Sequence, residues 1–324
     1  MTASAIGRLV RLLVAGGLTA FILWKIHPAE VWRAASGADW RWILLAVLLV
    51  LVDRALNAYR WLVLLRPLSS ASHVALWPIM RIFFVSTFVG TFLPAGVGDA
   101  AVRAYSLARL KVPAAAAVAS VFMDRMLGVL SILLMAMVGL FFARDLATQP
   151  VVVVALLVTL AACVVTALVV FSQSATDLVR SLLRFLPGQR LERIGRSLLD
   201  AVQSYSTSHR ELLNVLAGSL GVQVLRIVQA WFLGLALGVT APPGAYFAFI
   251  PLILLIMLVP VTIYGIGTSQ LAFLLFGRVG VSNPQSFAMS VLFLALGVFG
   301  NLPGLVLYLT DVGAAHDAGR DATA

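Results

Sequence analysis

The chain has 324 residues, of which 61% are hydrophobic and only 11% are charged, and its formal charge is +10. Because about a quarter of the residues of a soluble domain are charged, this composition excludes an ordinary soluble protein and predicts an all-α polytopic membrane protein. A positive charge can indicate nucleic-acid binding, but cytoplasmic loops of membrane proteins collect Lys and Arg, so we expect no nucleic-acid partner.

The first half of the chain alternates between long apolar runs and short interruptions. A crossing needs about 20 apolar residues. The predicted elements are spans at 7–26, 41–65 and 114–142, an apolar segment at 74–93 and a short helix at 99–110. Pro94, Gly96 and Gly98 break the helical pattern before that short helix. A broken segment deep in an apolar protein predicts a polar cavity.

The second half follows a charged insertion. Residues 173–210 contain six arginines, three acids and leucines at helical spacing. This pattern predicts two amphipathic helices on the cytoplasmic leaflet, attracted by anionic lipid, with a partner-docking surface as the alternative. The other predicted elements are spans at 150–171, 211–238 and 283–310, an apolar segment at 244–259, a break at 260–270 and a short helix at 268–277.

Landmarks recur between the two halves at a nearly constant interval. The sequence has a second G-x-G pair, Gly265 and Gly267, which lies 169 residues after Gly96 and Gly98. Arg226 likewise follows Arg54 by 172 residues. We therefore predict an inverted repeat in one membrane domain, residues 1–324. Its segments are a first span and interfacial segment at 7–40, repeat A at 41–143, a linking span and amphipathic segment at 144–210, repeat B at 211–310 and a polar tail at 311–324.

The loop charges predict the topology. If each broken segment is a re-entrant helical hairpin, the chain has about six spanning helices plus two hairpins. The arginine-rich loops then face the cytoplasm, as do both termini, which predicts insertion in the cytoplasmic (inner) membrane. Inverted repeats with broken helices near the midplane are typical of secondary transporters.

Charges inside the spans are the first candidates for function. Asp53, Arg54, Asp124, Arg125 and Arg226 all lie well within apolar runs, where each charge costs about 2.5–3.5 kcal/mol on insertion scales. Neighbours in a helical sequence do not face each other, so their partners are expected on other helices. Two interpretations stay open: a salt-bridge network that holds the bundle together, and a water-filled path for an anionic head group.

The first break predicts an anion site. A helix that begins at Asp99 presents free backbone N–H groups behind glycines. Asp99 is itself a good N-cap residue, which leaves Arg103 as the better phosphate contact. The candidate substrate-binding residues are Arg54, Arg60, Arg81, Gly96, Gly98, Asp99, Arg103, Asp124, Arg125, Arg226, Tyr264, Gly265, Gly267, Thr268, Ser269 and Gln270.

Several stretches resemble one known family. They are AYRWLVLL (58–65), FLPAGVGDAAVRAYSLARL (92–110), SVFMDRMLGVL (120–130), PVTIYGIGTSQLAF (260–273) and NLPGLVLYL (301–309). Together they resemble the flippase-like membrane proteins related to the transmembrane region of lysylphosphatidylglycerol synthase, over about residues 8–312. The chain departs from the family pattern at Ala100, Ser269 and Gln270, where the family usually has charged residues.

The resemblance implies movement of an amphipathic lipid, or of a lipid-linked envelope precursor, between leaflets. The alternatives are a membrane-embedded glycosyl- or acyl-transferase, a transporter of a small soluble anion, and a non-transporting partner of an envelope-lipid enzyme. We expect no enzyme, because the sequence has neither a P-loop nor a visible nucleophile–base pair. One cysteine and four scattered histidines predict no metal site, and we expect no cofactor.

Overall fold

The computed structural model describes residues 37–68, 74–91, 97–141, 150–184, 189–257, 269 and 273–321. Within these ranges the regular elements are helices, and they include no strand. The helices are α1 (Trp40–Leu65), α2 (Leu76–Gly90), α3 (Val97–Arg109), α4 (Ala114–Leu140), α5 (Pro150–Phe171), α6 (Gln173–Leu183), α7 (Gln189–Gln203), α8 (His209–Ala236), α9 (Pro243–Met257) and α10 (Asn283–Asp321), with a 3-10 helix at Leu274–Val279.

Five of the described helices are long and apolar enough to cross a membrane. They are α1, α4, α5 from Val152 onward, α8, and α10 as far as Leu309. These helices coincide with five of the six predicted spans. The remaining predicted span, 7–26, lies outside the described residues.

The helices α2 and α3 are too short to cross a bilayer singly. They have 15 and 13 residues, about 20 Å at 1.5 Å per residue, against a hydrocarbon core of about 30 Å. The two helices pack on each other. A Cβ atom on Gly90 would lie 2.6 Å from Asp99 Cβ, so the end of α2 touches the start of α3. Residues 92–96 of the predicted break lie outside the described part.

The helices α1 and α8 form the most extensive helix pair of the described chain. Asp39 precedes α1, and its backbone N–H donates to the Ala236 carbonyl at the end of α8 over 2.9 Å, so the two helices are antiparallel. Gly218 and Gly221 of α8 face the α1 side chains Leu56 and Arg60. Small residues at these positions let the two helices approach closely.

Two further close contacts join the halves of the chain. A Cβ on Gly304 of α10 would lie 2.1 Å from the Phe84 carbonyl oxygen of α2. A Cβ on Gly139 of α4 would lie 2.6 Å from the Phe247 carbonyl oxygen of α9. The first half's short helix α2 thus packs on the last span, and the second half's short helix α9 packs on α4.

The charged insertion forms two helices, α6 and α7, as predicted. Residue Val202 at the end of α7 joins the buried core, and α7 packs on α4. Both helices also have exposed apolar residues, which are Leu178 and Leu182 in α6 and Leu191 and Ile194 in α7. Beyond α7, the buried Tyr205 hydroxyl donates to the Leu64 carbonyl over 2.8 Å, which fixes the insertion against the end of α1.

Two element boundaries differ from prediction. α10 continues to Asp321, past the predicted end of the span near residue 310, because a helix can extend beyond the apolar run that marks the membrane. Of the predicted short helix at 268–277, residues 268 and 270–272 lie outside the described part and Ser269 and Phe273 are helical. A 3-10 helix follows at Leu274–Val279 and ends at Gly280 with φ 82°. Glycine adopts this left-handed conformation without steric cost.

Candidate functional site

A continuous chain of ion pairs and hydrogen bonds runs through α1, α3, α4 and α8. We call it the ion-pair chain. Its members are, in order, Arg226, Asp53 with Arg54, Asn57, Arg60, Asp124, Arg103, Asp99 and Arg125. All of its charged members except Asp53 are on the list of candidate substrate-binding residues. The structure brings them together with Asp53, which the sequence analysis noted only as a charge inside a span.

The first end of the chain joins α1 to α8. Arg54 Nη1 donates to Asp53 Oδ2 over 3.0 Å, and Arg226 Nε lies 3.4 Å from Asp53 Oδ1. Arg54 also reaches the Gly297 carbonyl of α10 over 3.4 Å. The prediction that sequence neighbours cannot pair is wrong for Asp53 and Arg54, because the long arginine side chain folds back over its own helix.

The middle of the chain follows one face of α1. Asn57 Nδ2 donates to the Asp53 carbonyl over 2.7 Å, and Arg60 Nη1 donates to Asn57 Oδ1 over 2.7 Å. The spacing of Asp53, Asn57 and Arg60 at i, i+4 and i+7 in the sequence predicts that they share one helical face, and these hydrogen bonds confirm it. A Cβ on Gly218 would lie 3.0 Å from Arg60 Cγ, so the glycine leaves room for this buried arginine against α8.

Asp124 of α4 is shared by two arginines. Its Oδ1 accepts from Arg60 Nη2 over 3.2 Å, and its Oδ2 accepts from Arg103 Nη1 over 3.0 Å. One carboxylate on α4 thereby ties α1 to α3. Charge-assisted hydrogen bonds of this kind are about twice as strong as neutral ones.

Arg103 is almost completely enclosed. Its Nη2 donates to Asp99 Oδ2 and its Nε to Ser86 Oγ, both over 3.3 Å. The guanidinium Cζ lies 4.4 Å from the ring centroid of Phe83 and 5.2 Å from that of Trp61. Both distances suit a cation–π contact. The residue predicted as the main phosphate contact therefore has its donors turned toward protein groups.

The second end of the chain lies where α3 meets α4. Helix α3 begins at Val97, so Asp99 sits in its first turn instead of at the predicted N-cap. Its Oδ2 accepts from Arg125 as well as from Arg103. A carboxylate in the first helical turn also interacts favourably with the helix dipole.

The arginines at the two ends of the ion-pair chain are more exposed than those in its middle. The Arg226 and Arg125 side chains are 26% and 46% exposed, whereas those of Arg60 and Arg103 are 5% and 4% exposed. The chain contains five arginines and three aspartates, a formal charge of +2. Both accessible ends of the chain are cations.

The remaining candidates lie elsewhere. Arg81 is partly buried on α2, Gly98 lies in the first turn of α3, and Ser269 is buried. The other candidates fall outside the described residues: Gly96, Tyr264, Gly265, Gly267, Thr268 and Gln270. In the described part, no cluster of His, Cys, Asp and Glu is arranged to hold a metal ion.

The candidate list omitted several neutral residues that complete the polar interior. Asn57 belongs to the ion-pair chain, and Ser86 accepts from Arg103 over 3.3 Å. Gln223 donates to Ser131 over 3.0 Å, and Asn301 donates to Thr91 over 2.7 Å. Gln223, Arg226 and Gln229 recur at intervals of three residues in the sequence of α8, which predicts one polar face that includes Gln223. Nothing in the local sequence distinguishes Ser86 from an ordinary helical serine.

One of three comparisons with known proteins identifies a family for this polypeptide. No curated protein and no solved structure matches the chain. One family model matches residues 8–304, and its description is the lysylphosphatidylglycerol synthase TM region. This family indicates a membrane protein linked to lipid synthesis or flipping. The match covers most of the chain, which therefore belongs to the family of the lysylphosphatidylglycerol synthase transmembrane region.

Proposed function

We propose that this protein moves an anionic amphipathic lipid, or a lipid-linked envelope precursor, between the leaflets of the cell membrane without ATP and without chemical change. The observation that carries the proposal is the excess of arginine over aspartate in the ion-pair chain. Charges in the membrane interior mark substrate paths because they are costly to insert.

A purely structural network explains the charges less well. Salt bridges that only hold helices together need no more bases than acids, since every additional charge within a span is costly. Here two arginines exceed the acids, and both accessible ends are cations. An anionic head group passing between α1, α3, α4 and α8 supplies the missing negative charge.

The helix packing supports an inverted repeat with re-entrant hairpins. The predicted correspondence pairs α1 with α8, α2 with α9, and α4 with α10. In this correspondence α9 is the counterpart of α2, and α4 is the counterpart of α10. If the two repeats are related by symmetry, an α2–α10 contact must have an equivalent α9–α4 contact, and both contacts occur. Each also contains a glycine placed against a backbone carbonyl, Gly304 and Gly139. Repeats related in this way permit alternating access by rocking of one half against the other.

We further propose insertion in the cytoplasmic (inner) membrane with both termini in the cytoplasm. On this topology α6 and α7 lie on the cytoplasmic leaflet. Their exposed apolar residues, Leu178, Leu182, Leu191 and Ile194, face away from α4 and suit the interface of a bilayer. The arginines of this segment suit anionic head groups.

A second candidate function is that of a non-transporting partner of an envelope-lipid enzyme. The exposed leucine and arginine side chains of α6 and α7 favour it, since they also suit a protein partner. Under this reading the ion-pair chain only stabilises the bundle. Lipid movement by the protein alone distinguishes the two functions.

The test is reconstitution of the purified protein in vesicles that contain fluorescent phosphatidylglycerol, phosphatidate or polyprenyl phosphate. Dithionite quenches only the outer-leaflet label, so movement from the inner leaflet appears as additional quenching. We expect additional quenching for at least one of these lipids without ATP, relative to protein-free vesicles. If none of them moves, the proposal fails and the partner function is favoured.

A further inference from the structure

Arg125 and Arg226 can each leave the ion-pair chain without leaving an aspartate unpaired. Arg226 shares Asp53 with Arg54, and Arg125 shares Asp99 with Arg103. Either end arginine can turn away while its aspartate keeps one cation. By contrast, a departure of Arg60 or Arg103 would open the chain at its buried centre.

Both end arginines lie deep in their helices. Arg125 is about 16 Å along α4 from its first residue, and Arg226 is about 15 Å before the last residue of α8, at 1.5 Å per residue. Their side chains are nevertheless 46% and 26% exposed. An arginine open to hydrocarbon at this depth is strongly unfavourable, so we expect water or an anion beside the exposed part of each side chain.

The formal charge of the ion-pair chain limits the kind of anion that can bind to it. Five arginines against three aspartates leave a formal charge of +2. A phosphodiester lipid neutralises one unit of this excess, and an aminoacylated lipid with a net positive charge adds to it. A phosphomonoester, whose charge approaches −2 above its second pKa of about 6, neutralises the whole excess.

We propose that Arg125 and Arg226 are the exchangeable substrate contacts, and that they select a lipid whose head group carries a dianionic phosphate. This inference rests on the proposed function. The passing phosphate takes guanidinium hydrogen bonds from Arg125 at one end of the ion-pair chain and from Arg226 at the other, while Arg103 keeps Asp99 neutralised and Arg54 keeps Asp53 neutralised. Guanidinium groups suit phosphate because their N–H groups form paired hydrogen bonds with its oxygens.

The test compares phosphatidate with phosphatidylmethanol, its methyl ester, in the vesicle assay at pH 8. The two lipids share their tails and differ by about one negative charge at the head group. We expect the wild-type protein to move phosphatidate roughly tenfold faster, as the loss of one charge-assisted contact implies. Equal rates for the two lipids would overturn the inference, and this result depends on no variant.

Variants then locate the selectivity. Arg125→Gln and Arg226→Gln should each reduce the rate ratio of the two lipids, and the double variant should abolish it, with melting temperatures close to wild type. Arg180→Gln is the matched control, since Arg180 is an exposed arginine paired with Asp200 outside the spans. An unchanged ratio in folded double-variant protein would contradict the assignment.

The outcomes separate the two proposals. If lipids move but show no preference for the dianion, the proposed function stands and the inference fails. If radiolabelled inorganic phosphate enters the vesicles and no lipid moves, the same arginines serve a free anion and both proposals fail. Faster movement of phosphatidate than of phosphatidylmethanol, with no entry of inorganic phosphate, supports both.

Discussion

Arg103 on α3 and Asp124 on α4 are joined by a hydrogen bond of 3.0 Å between Nη1 and Oδ2. The other oxygen of Asp124 accepts from Arg60 of α1. This single carboxylate therefore connects the short helix α3 to two long helices, and all three side chains are at most 10% exposed.

Neutralising Asp124 should destabilise the protein strongly. Asp124→Asn leaves Arg60 and Arg103 buried without their shared anion, and breaking a buried ion pair costs about 3–5 kcal/mol. We expect a lower melting temperature in detergent, and the exposed Asp177→Asn variant serves as the control. Equal melting temperatures for the two variants would show that the carboxylate does not hold the bundle together.

The close approach of α10 to α2 should not tolerate a larger side chain at Gly304. A Cβ there would lie 2.1 Å from the Phe84 carbonyl oxygen, so Gly304→Ala forces the helices apart. Overpacking costs about 1–3 kcal/mol or more. Thermal unfolding measures the loss. Gly277→Ala is the control because nothing lies within 4 Å of its Cβ position, and it should unfold like the wild type.

Tyr205 should make stability sensitive to alkaline pH. Burial, and to a smaller extent the negative charge of Asp124, raises the pKa of the Tyr205 phenol above its ordinary value of 10.0. A phenol that titrates higher in the folded state contributes stability that is complete below pH 10 and is lost as the pH rises further. Stability should therefore fall above pH 10.

The matched comparison for this pH dependence is Tyr205→Phe. At neutral pH the variant lacks the 2.8 Å hydrogen bond to the Leu64 carbonyl, which should cost about 0.5–1.5 kcal/mol. Above pH 10 the difference from wild type should shrink, because phenylalanine does not ionise. A constant difference between pH 8 and 11, measured by denaturation, would rule out the titration of this phenol.

The topology can be tested with single cysteines in a Cys163→Ser background. Ser181→Cys on α6 should react with a membrane-impermeant maleimide only from the cytoplasmic side. Arg278→Cys in the 3-10 helix should react only from the opposite side. Intact cells present the outer side of the membrane to the maleimide, and inverted vesicles present the cytoplasmic side. Labelling of both cysteines from one side would contradict the proposed inverted topology.

Hydropathy predicted the long helices well because a span must bury its whole circumference in apolar surroundings. The limits of α4 and α5 were predicted to within two residues. Helical periodicity likewise placed Asp53, Asn57 and Arg60 on one face, since their spacing alone determines it. These features depend only on local sequence.

The partners of the charged residues could not be predicted in the same way. Arg103 meets Ser86 and Asp124 because α3 packs between α2 and α4, and no local pattern encodes that packing. The pairing of Arg54 with Asp53 depends on a side-chain conformation that helical geometry alone disfavours. The start of α3 also precedes the predicted cap, which moved Asp99 into the first turn.

The sharing of Asp124 restricts how this sequence can change over time. A substitution that removes the aspartate takes away the carboxylate partner of Arg60 and leaves Arg103 paired with Asp99 alone. A substitution of either arginine leaves Asp124 with the other as its sole cation. A charge-free interior at this place therefore requires three coordinated replacements. Each intermediate is less stable than the starting point, so single mutational steps do not lead from this arrangement to a neutral one.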